Sequence, residues 1–380
     1  MDLDATLRRA LRTAGDGYRP SDLGPATERF TRRRDRRRAR SWAGGAILAG
    51  AALVGAVAVV GALPGPRVAI EGGDDGPRVA EEAARDALAS ALPRGPISLA
   101  DTHRVGPRPS DVEVADEALV VAHEEGRPAS LVDARSGRRA GRLAEAPTAL
   151  ARGGDTVYGV DRVAGALYSF RPPEPDPVMA RTVGPEPTDV AYGGGFVWVS
   201  SAAGRPDRYV VSQYAAGSFE PVGTYRVRYP ARLEYAYGYL WAATHEGGLL
   251  RIDPDARTAT RVAAVGGASD VGAGFGSVWV YELPERRFDA HVVRLDRGGG
   301  RVLDSVGVRG FFGRVEADEE AGVWVLSSVS EYERDLLRLR PVGGRDEPVR
   351  LEGGPFEMSA ERGALWVVDG QRLKRFEVGR

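Results

Sequence analysis

The chain of 380 residues contains no cysteine. That excludes disulfides, thiolate metal sites, a thiol nucleophile and a lipid-modified cysteine anchor. Histidine occurs only four times, too few for a histidine-rich metal centre. Lysine occurs once, as Lys374, and all other basic side chains are arginine, which suggests a GC-rich coding sequence and a bacterial source. A net charge of -1 excludes a chain that is basic or acidic throughout, and no nucleic-acid partner is expected. Walker A, Rossmann, G-x-S-x-G, HExxH and EF-hand patterns are all missing, so no catalytic residue is assigned from motifs. The GGG runs at 193–195 and 298–300 read as tight turns rather than phosphate cradles, because no helical pattern follows them.

One long run without charge is present. Residues 42–63 read WAGGAILAGAALVGAVAVVGAL. At about 1.5 Å per residue such a helix spans about 33 Å, enough to cross a hydrocarbon core of about 30 Å. Seven arginines and one aspartate lie just upstream in TRRRDRRRARS, residues 31–41. That asymmetry predicts a single membrane span with a cytoplasmic N-terminus and the rest of the chain outside. A cleaved signal peptide is the competing reading, since Val60-Gly61-Ala62 has small-residue cleavage character. The arginines and the Gly/Ala-rich run also resemble a twin-arginine export signal, although the usual Phe-Leu is missing. The length of the tail and of the run favours an uncleaved anchor. Leu3, Leu7 and Leu11 allow a short helix in the tail, a candidate docking element for a cytoplasmic partner. Residues 64–96 read as a Gly/Pro linker with a short helix at 81–92.

The remainder, residues 97–380, repeats. Short apolar runs align Val120, Tyr158, Trp198, Trp241, Trp279, Trp324 and Trp366 in one phase, at spacings of 38, 40, 43, 38, 45 and 42. Five of the six tryptophans therefore share one repeat position. Each unit holds four short runs rich in Val and aromatics, bounded by Gly, Pro or Asp, which are strands rather than helices. Four antiparallel strands repeated about every forty residues predict an all-β propeller of four-stranded blades. Seven blades are expected; six is the alternative if unit 1 or unit 2 is incomplete. The last unit ends at RLKRFEVGR without a fourth strand, and the orphan run ISLADTHRV (97–105) is predicted to supply it and close the ring. Closure removes the free sheet edges.

Leu240-Trp241 followed by Leu250-Arg251-Ile252-Asp253-Pro254 resembles the YVTN-type and virginiamycin-B-lyase-like seven-bladed propellers. The resemblance covers about 280 residues. It implies the fold rather than an activity. Enzymes of the virginiamycin-lyase kind use histidines and glutamates with a metal on one face of the ring, and their histidine-rich pattern is not matched here.

In a propeller the innermost strands line a channel. The position nine residues before each aromatic holds Asp111, Ala149, Asp189, Arg232, Asp270, Val315 and Glu357. Asp111, Asp189, Arg232, Asp270 and Glu357 are therefore the candidate ligand-binding residues at the channel mouth. A ring of acids raises its own pKa values or attracts a cation, and a divalent ion with oxygen ligands is conceivable. The plainer role is that these aspartates accept backbone N–H bonds in the turns, beside Ser110, Thr188 and Ser269. His123 and His245, each followed by Glu, are expected on the same face as candidate acid–base groups, with loop histidines as the default.

These features favour a membrane-anchored, extracytoplasmic binding, sensing or scaffold module for a protein, glycan or small ligand. The alternatives are an extracytoplasmic enzyme of lyase or lactonase type and a transmembrane regulator with a cytoplasmic docking tail. Charge is split between the parts. Residues 1–41 carry 12 basic and 6 acidic groups, a net of +6; the rest carries 52 − 12 = 40 basic and 53 − 6 = 47 acidic groups, a net of -7. The external part thus favours cationic partners.

Overall fold

A computed structural model of the chain describes residues 92–379, apart from 125, 206–207, 284–288, 331–332, 342–343 and 353–356. The basic tail, the apolar run and the linker up to residue 91 lie outside the described residues. Among the described residues no helix is long and apolar enough to cross a membrane.

Seven four-stranded antiparallel sheets form the blades of a propeller, as the repeat predicted. Units 1 and 2 are both full blades, so the count is seven rather than six. We letter the strands of each blade A to D from the channel outwards. The seven A strands are Pro109–Ala115, Ala149–Gly153, Pro187–Gly193, Ala231–Ala236, Ala268–Gly274, Phe312–Asp318 and Glu357–Glu361. Blade 7 takes its D strand from the beginning of the propeller: Ile97–Arg104 pairs antiparallel with Arg372–Val378. The orphan run thus closes the ring.

The repeat arises from packing between blades. Seven apolar clusters each join two neighbouring blades. Trp198 of blade 3 packs with Leu233, Leu240 and Ile252 of blade 4; Trp241 packs with Val271, Val278 and Leu295 of blade 5. Trp279, Trp324 and Trp366 continue the pattern onto blades 6, 7 and 1. A single sheet cannot cover both of its faces. A large flat side chain on strand B fills the wedge between two twisted sheets, and these tryptophans are at most 3% exposed.

Turn chemistry follows the glycines. Gly194 and Gly195 take positive φ of 63° and 80° in the tight hairpin between strands A and B of blade 3. Gly299 sits in the C–D hairpin of blade 5, where a Cβ would lie 2.6 Å from the ring of Trp241. Both GGG runs are therefore hairpin turns, as expected.

Blade 6 departs from the others at its A–B hairpin. Elsewhere the in-phase aromatic (Val120 in blade 1) pairs with a strand-A residue seven positions earlier, as Trp241 does with Glu234. In blade 6 Trp324 pairs with Glu316, eight positions earlier. The extra residue has two consequences. The indole Nε1 of Trp198, Trp241 and Trp279 donates to the carbonyl five residues earlier, at 3.4, 3.3 and 3.1 Å, whereas Nε1 of Trp324 is buried without a partner. The longer turn also presents the Ala321 carbonyl to the fully buried Arg338, which donates as well to Asp346 and to the Gly95 carbonyl. With the paired bonds between Gly95 and Gly379 and between Gly379 and Pro96, this fixes the start of the propeller on the face that carries the A–B and C–D hairpins. The channel mouth described next opens on the other face.

Candidate functional site

Alternation along the A strands sends every second side chain into the channel. Because pairing, not counting, sets position, the outer tier is read from the residue opposite the second residue after each in-phase aromatic. Its members are Asp111, Ala149, Asp189, Arg232, Asp270, Arg314 and Glu357. Sequence spacing put Val315 in this ring. The longer hairpin of blade 6 shifts the register by one, so Val315 is buried between blades and Arg314 faces the channel. Two residues deeper lies a second tier that spacing did not single out: Glu113, Ala151, Ala191, Glu234, Gly272, Glu316 and Ser359. All members of the two tiers except Ala149 and Gly272 line a polar cavity of about 370 Å³.

The outer tier is a bonded network. Asp111 accepts from the backbone N–H of Leu150 at 2.7 Å, Asp189 from Leu233 at 2.7 Å and Asp270 from Val315 at 2.9 Å. In each case the donor is on strand A of the next blade. The aspartates therefore do accept backbone N–H bonds, across to the next blade in these three cases, and Asp111 also accepts locally from the N–H of Val112 at 2.8 Å. Ser110 and Ser269 add bonds of the same sense, donating to the carbonyls of Thr148 and Gly313, both at 2.9 Å. Thr188 instead stays within its blade, 3.0 Å from Ser200. Arg232 of blade 4 reaches Asp189 at 3.3 Å and extends to Glu357 of blade 7. Arg314 grips the same Glu357 with two donors, at 3.1 and 2.9 Å.

Electrostatics differ between members. Burial pushes Asp189 up to about 6, against the pull of Arg232. Burial, reinforced by Glu357, raises Asp111 well above the usual carboxylate range, and burial also raises Asp270. Glu357 goes the other way: burial would raise it, but Arg232 and Arg314 outweigh that and hold it low. In the second tier burial lifts Glu113 to about 7 although Arg152 opposes it, and lifts Glu234 to about 8. Glu316 is raised well above its ordinary range by burial and then by Glu234. The charged groups that act most strongly on Glu234 and Glu316 are other carboxylates.

The histidines do not join this network. His123 is buried, its Nδ1 3.1 Å from the Pro107 carbonyl and its Nε2 2.9 Å from the Ser130 hydroxyl. The carbonyl must accept, so Nδ1 carries the proton, and burial lowers the pKa, which keeps the ring neutral. It is a structural histidine. His245 is exposed on the mouth face, with its ring 5.1 Å from that of Phe312. Its neighbour Glu246 hydrogen-bonds Tyr229. Neither His–Glu sequence pair forms an acid–base couple with the channel acids.

A divalent cation fits this arrangement poorly. Arginines hold two of the seven outer positions, and the carboxylates spend their oxygens on backbone N–H groups and guanidinium groups. Among the described residues no group of three His, Asp or Glu side chains could hold a metal ion.

No protein-family model matches the chain, and no curated protein matches it. Solved structures do. The chain is similar to virginiamycin B lyase from Staphylococcus aureus, at 13% identity and a TM-score of 0.57, over 74% of this chain and 100% of that one. It is similar to the Pan2 WD40 domain from Neurospora crassa, at 12% identity and a TM-score of 0.56, over 72% and 90%. BamB from Moraxella catarrhalis gives 13% identity and a TM-score of 0.49, over 74% and 99%. At these identities the likeness extends to the propeller fold alone.

Proposed function

We propose that this chain is a membrane-anchored, extracytoplasmic propeller that works as a binding or scaffold module through its channel-mouth face. One observation carries the binding reading. The mouth opens into a polar cavity whose outer side chains are tied to one another and to backbone, a preorganised recognition surface rather than a reacting centre. Both ring nitrogens of His123 are committed to structural partners, which argues against a histidine-dependent lyase. The uncharged run at 42–63, the arginines before it and the opposed charges of the two parts support the anchor and the external placement of the propeller.

The missing cysteine makes the topology directly testable. Single substitutions Ser21→Cys in the tail and Ser136→Cys on the propeller are treated with a membrane-impermeant maleimide on intact cells. Labelling of position 136 and protection of position 21 is expected; the reverse pattern refutes the placement. For binding, a photo-crosslinking residue at position 312 on the mouth is compared with one at position 319 on the opposite face. Capture of a discrete species only from position 312 supports the module, and equal capture from both refutes it.

A further inference from the structure

The propeller carries its charge unevenly around the rim. In blades 7 and 1 the outer strands are Arg372–Val378 with Ile97–Arg104, and Ser130–Asp133 with Arg139–Arg142. Together with the C–D hairpin of blade 1 (134–138) they carry eight basic and three acidic side chains, a net of +5. The rest of residues 97–380 carries 28 basic and 38 acidic side chains, a net of -10. The outer pairs of blades 2 to 6, at 166–182, 208–227, 248–261, 289–309 and 333–352, carry nets of 0, +1, +1, +1 and 0. The excess therefore belongs to two adjacent blades and not to outer strands in general.

Those two blades present one continuous surface. The C–D hairpin of blade 1 abuts strand D of blade 7: at Gly137, where φ is 63°, a Cβ would fall 1.9 Å from the ring of His103. Five exposed arginines on this surface lack a carboxylate partner. Arg104 donates to the Gln371 side chain at 3.1 Å and Arg139 to the Gly141 carbonyl at 3.4 Å. Arg138, Arg142 and Arg372 have no side-chain partner among the described residues. On the same strands Arg375 is paired with Glu377 and Lys374 with Asp369. The free positive charge is thus concentrated in the five.

Where the chain enters the ring favours one kind of anion. Ile97–Arg104 is the first strand of the propeller, so the basic rim is also where the chain arrives from the apolar run at 42–63. Only 33 residues intervene, and a flexible chain of that length averages about 30 Å end to end. An anchor in that run holds the rim at high effective concentration beside the lipid. Attraction of the +5 rim and repulsion of the -10 remainder turn the same side towards an anionic surface. The hairpin with Arg138 is on the face opposite the channel mouth, so such contact leaves the mouth open.

We propose that the outer rim of blades 7 and 1 docks on the anionic lipid headgroups of the membrane that holds the anchor. This rests on the membrane-anchor reading and adds how the propeller is oriented on its membrane.

The test uses the full chain reconstituted into vesicles of phosphatidylcholine, alone or with about 30% phosphatidylglycerol, containing an acceptor-labelled lipid. Energy transfer is read from a donor dye on Ser136→Cys, at the rim, and on Thr258→Cys, exposed on blade 4 across the ring. The ratio of the two is expected to rise about twofold with phosphatidylglycerol and to fall back in about 0.5 M salt. The double variant R138Q/R142Q should lose the rise. R226Q/R257Q removes the same charge from exposed positions on blades 3 and 4 and should keep it. Loss of the rise in both double variants alike means diffuse attraction and overturns the proposal. If a photo-crosslinking residue at position 138 captures a discrete protein in cells while the ratio ignores phosphatidylglycerol, the rim serves an acidic partner protein and the lipid inference falls. An alkaline carbonate wash separates the two readings. A chain that stays in the vesicles with an unchanged ratio keeps its anchor and loses the rim inference; a chain that washes out of both kinds of vesicle loses both.

Discussion

Glu234 shows how one side chain ties stability to pH. Its folded pKa, about 8, stands above the ordinary 4.5, as does that of Glu113 at about 7. A raised folded pKa means that the folded state holds the proton more tightly. That contribution is fully present below about 4.5 and is lost as pH rises through 7 and 8. Urea denaturation should therefore give a less stable protein at pH 9 than at pH 6, by on the order of a few kcal/mol. Glu234→Gln should flatten this slope and be the more stable form at pH 9. A slope unchanged by the substitution would show that the channel acids are well solvated. Glu357 has the opposite sign: its low folded pKa adds stability above the ordinary range, lost as pH falls through the folded value. Arg232→Met should cost about 3 kcal/mol, because Asp189 loses its cation while Glu357 keeps Arg314. Chemical denaturation at constant m checks it. At this scale the aspartates were legible from spacing, because Asp recurs at one repeat position. Arg314 was not, because a single inserted residue moved it. The second-tier glutamates could have been found by reading the position seven before the aromatic, which shows Glu113 and Glu234 directly.

The A–B hairpin of blade 6 is the element where the repeat is broken and then reused. Its extra residue leaves the Trp324 indole N–H without an acceptor and supplies the Ala321 carbonyl to Arg338. Trp279→Phe removes a ring and a hydrogen bond; Trp324→Phe removes a ring and relieves an unsatisfied donor. The first should destabilise more than the second by about 1 kcal/mol. Matched denaturation curves of the two variants test this, and equal losses would mean that Trp324 finds an acceptor in solution. The strands themselves were readable from composition and alternation. The register of this hairpin was not: Asp318-Glu319-Glu320-Ala321-Gly322 gives no local sign of whether its turn has two residues or three.

Across the whole ring, the weak point is where the two ends of the propeller meet. Blade 7 is complete only because Ile97–Arg104 pairs with Arg372–Val378, and Arg338 clamps Gly95 nearby. Deleting residues 97–104 uncovers the edge of Arg372–Val378, and such an edge pairs with other chains. Gel filtration should then show higher oligomers, and calorimetry should lose the single cooperative transition. A monomer that melts as before would mean that the ring closes without this strand. The blade count, the tryptophan phase and the closing strand follow from the linear pattern, because each blade needs the same wedge filled and the same four strands. What the linear pattern could not contain is which charges meet inside the channel. Arg232 and Glu357 lie 125 residues apart, and only the curvature that bends seven sheets around one axis brings blade 4 within reach of blade 7. The same curvature brings Glu234 of blade 4 and Glu316 of blade 6 into one cavity, so the chemistry of the mouth is a property of the closed ring.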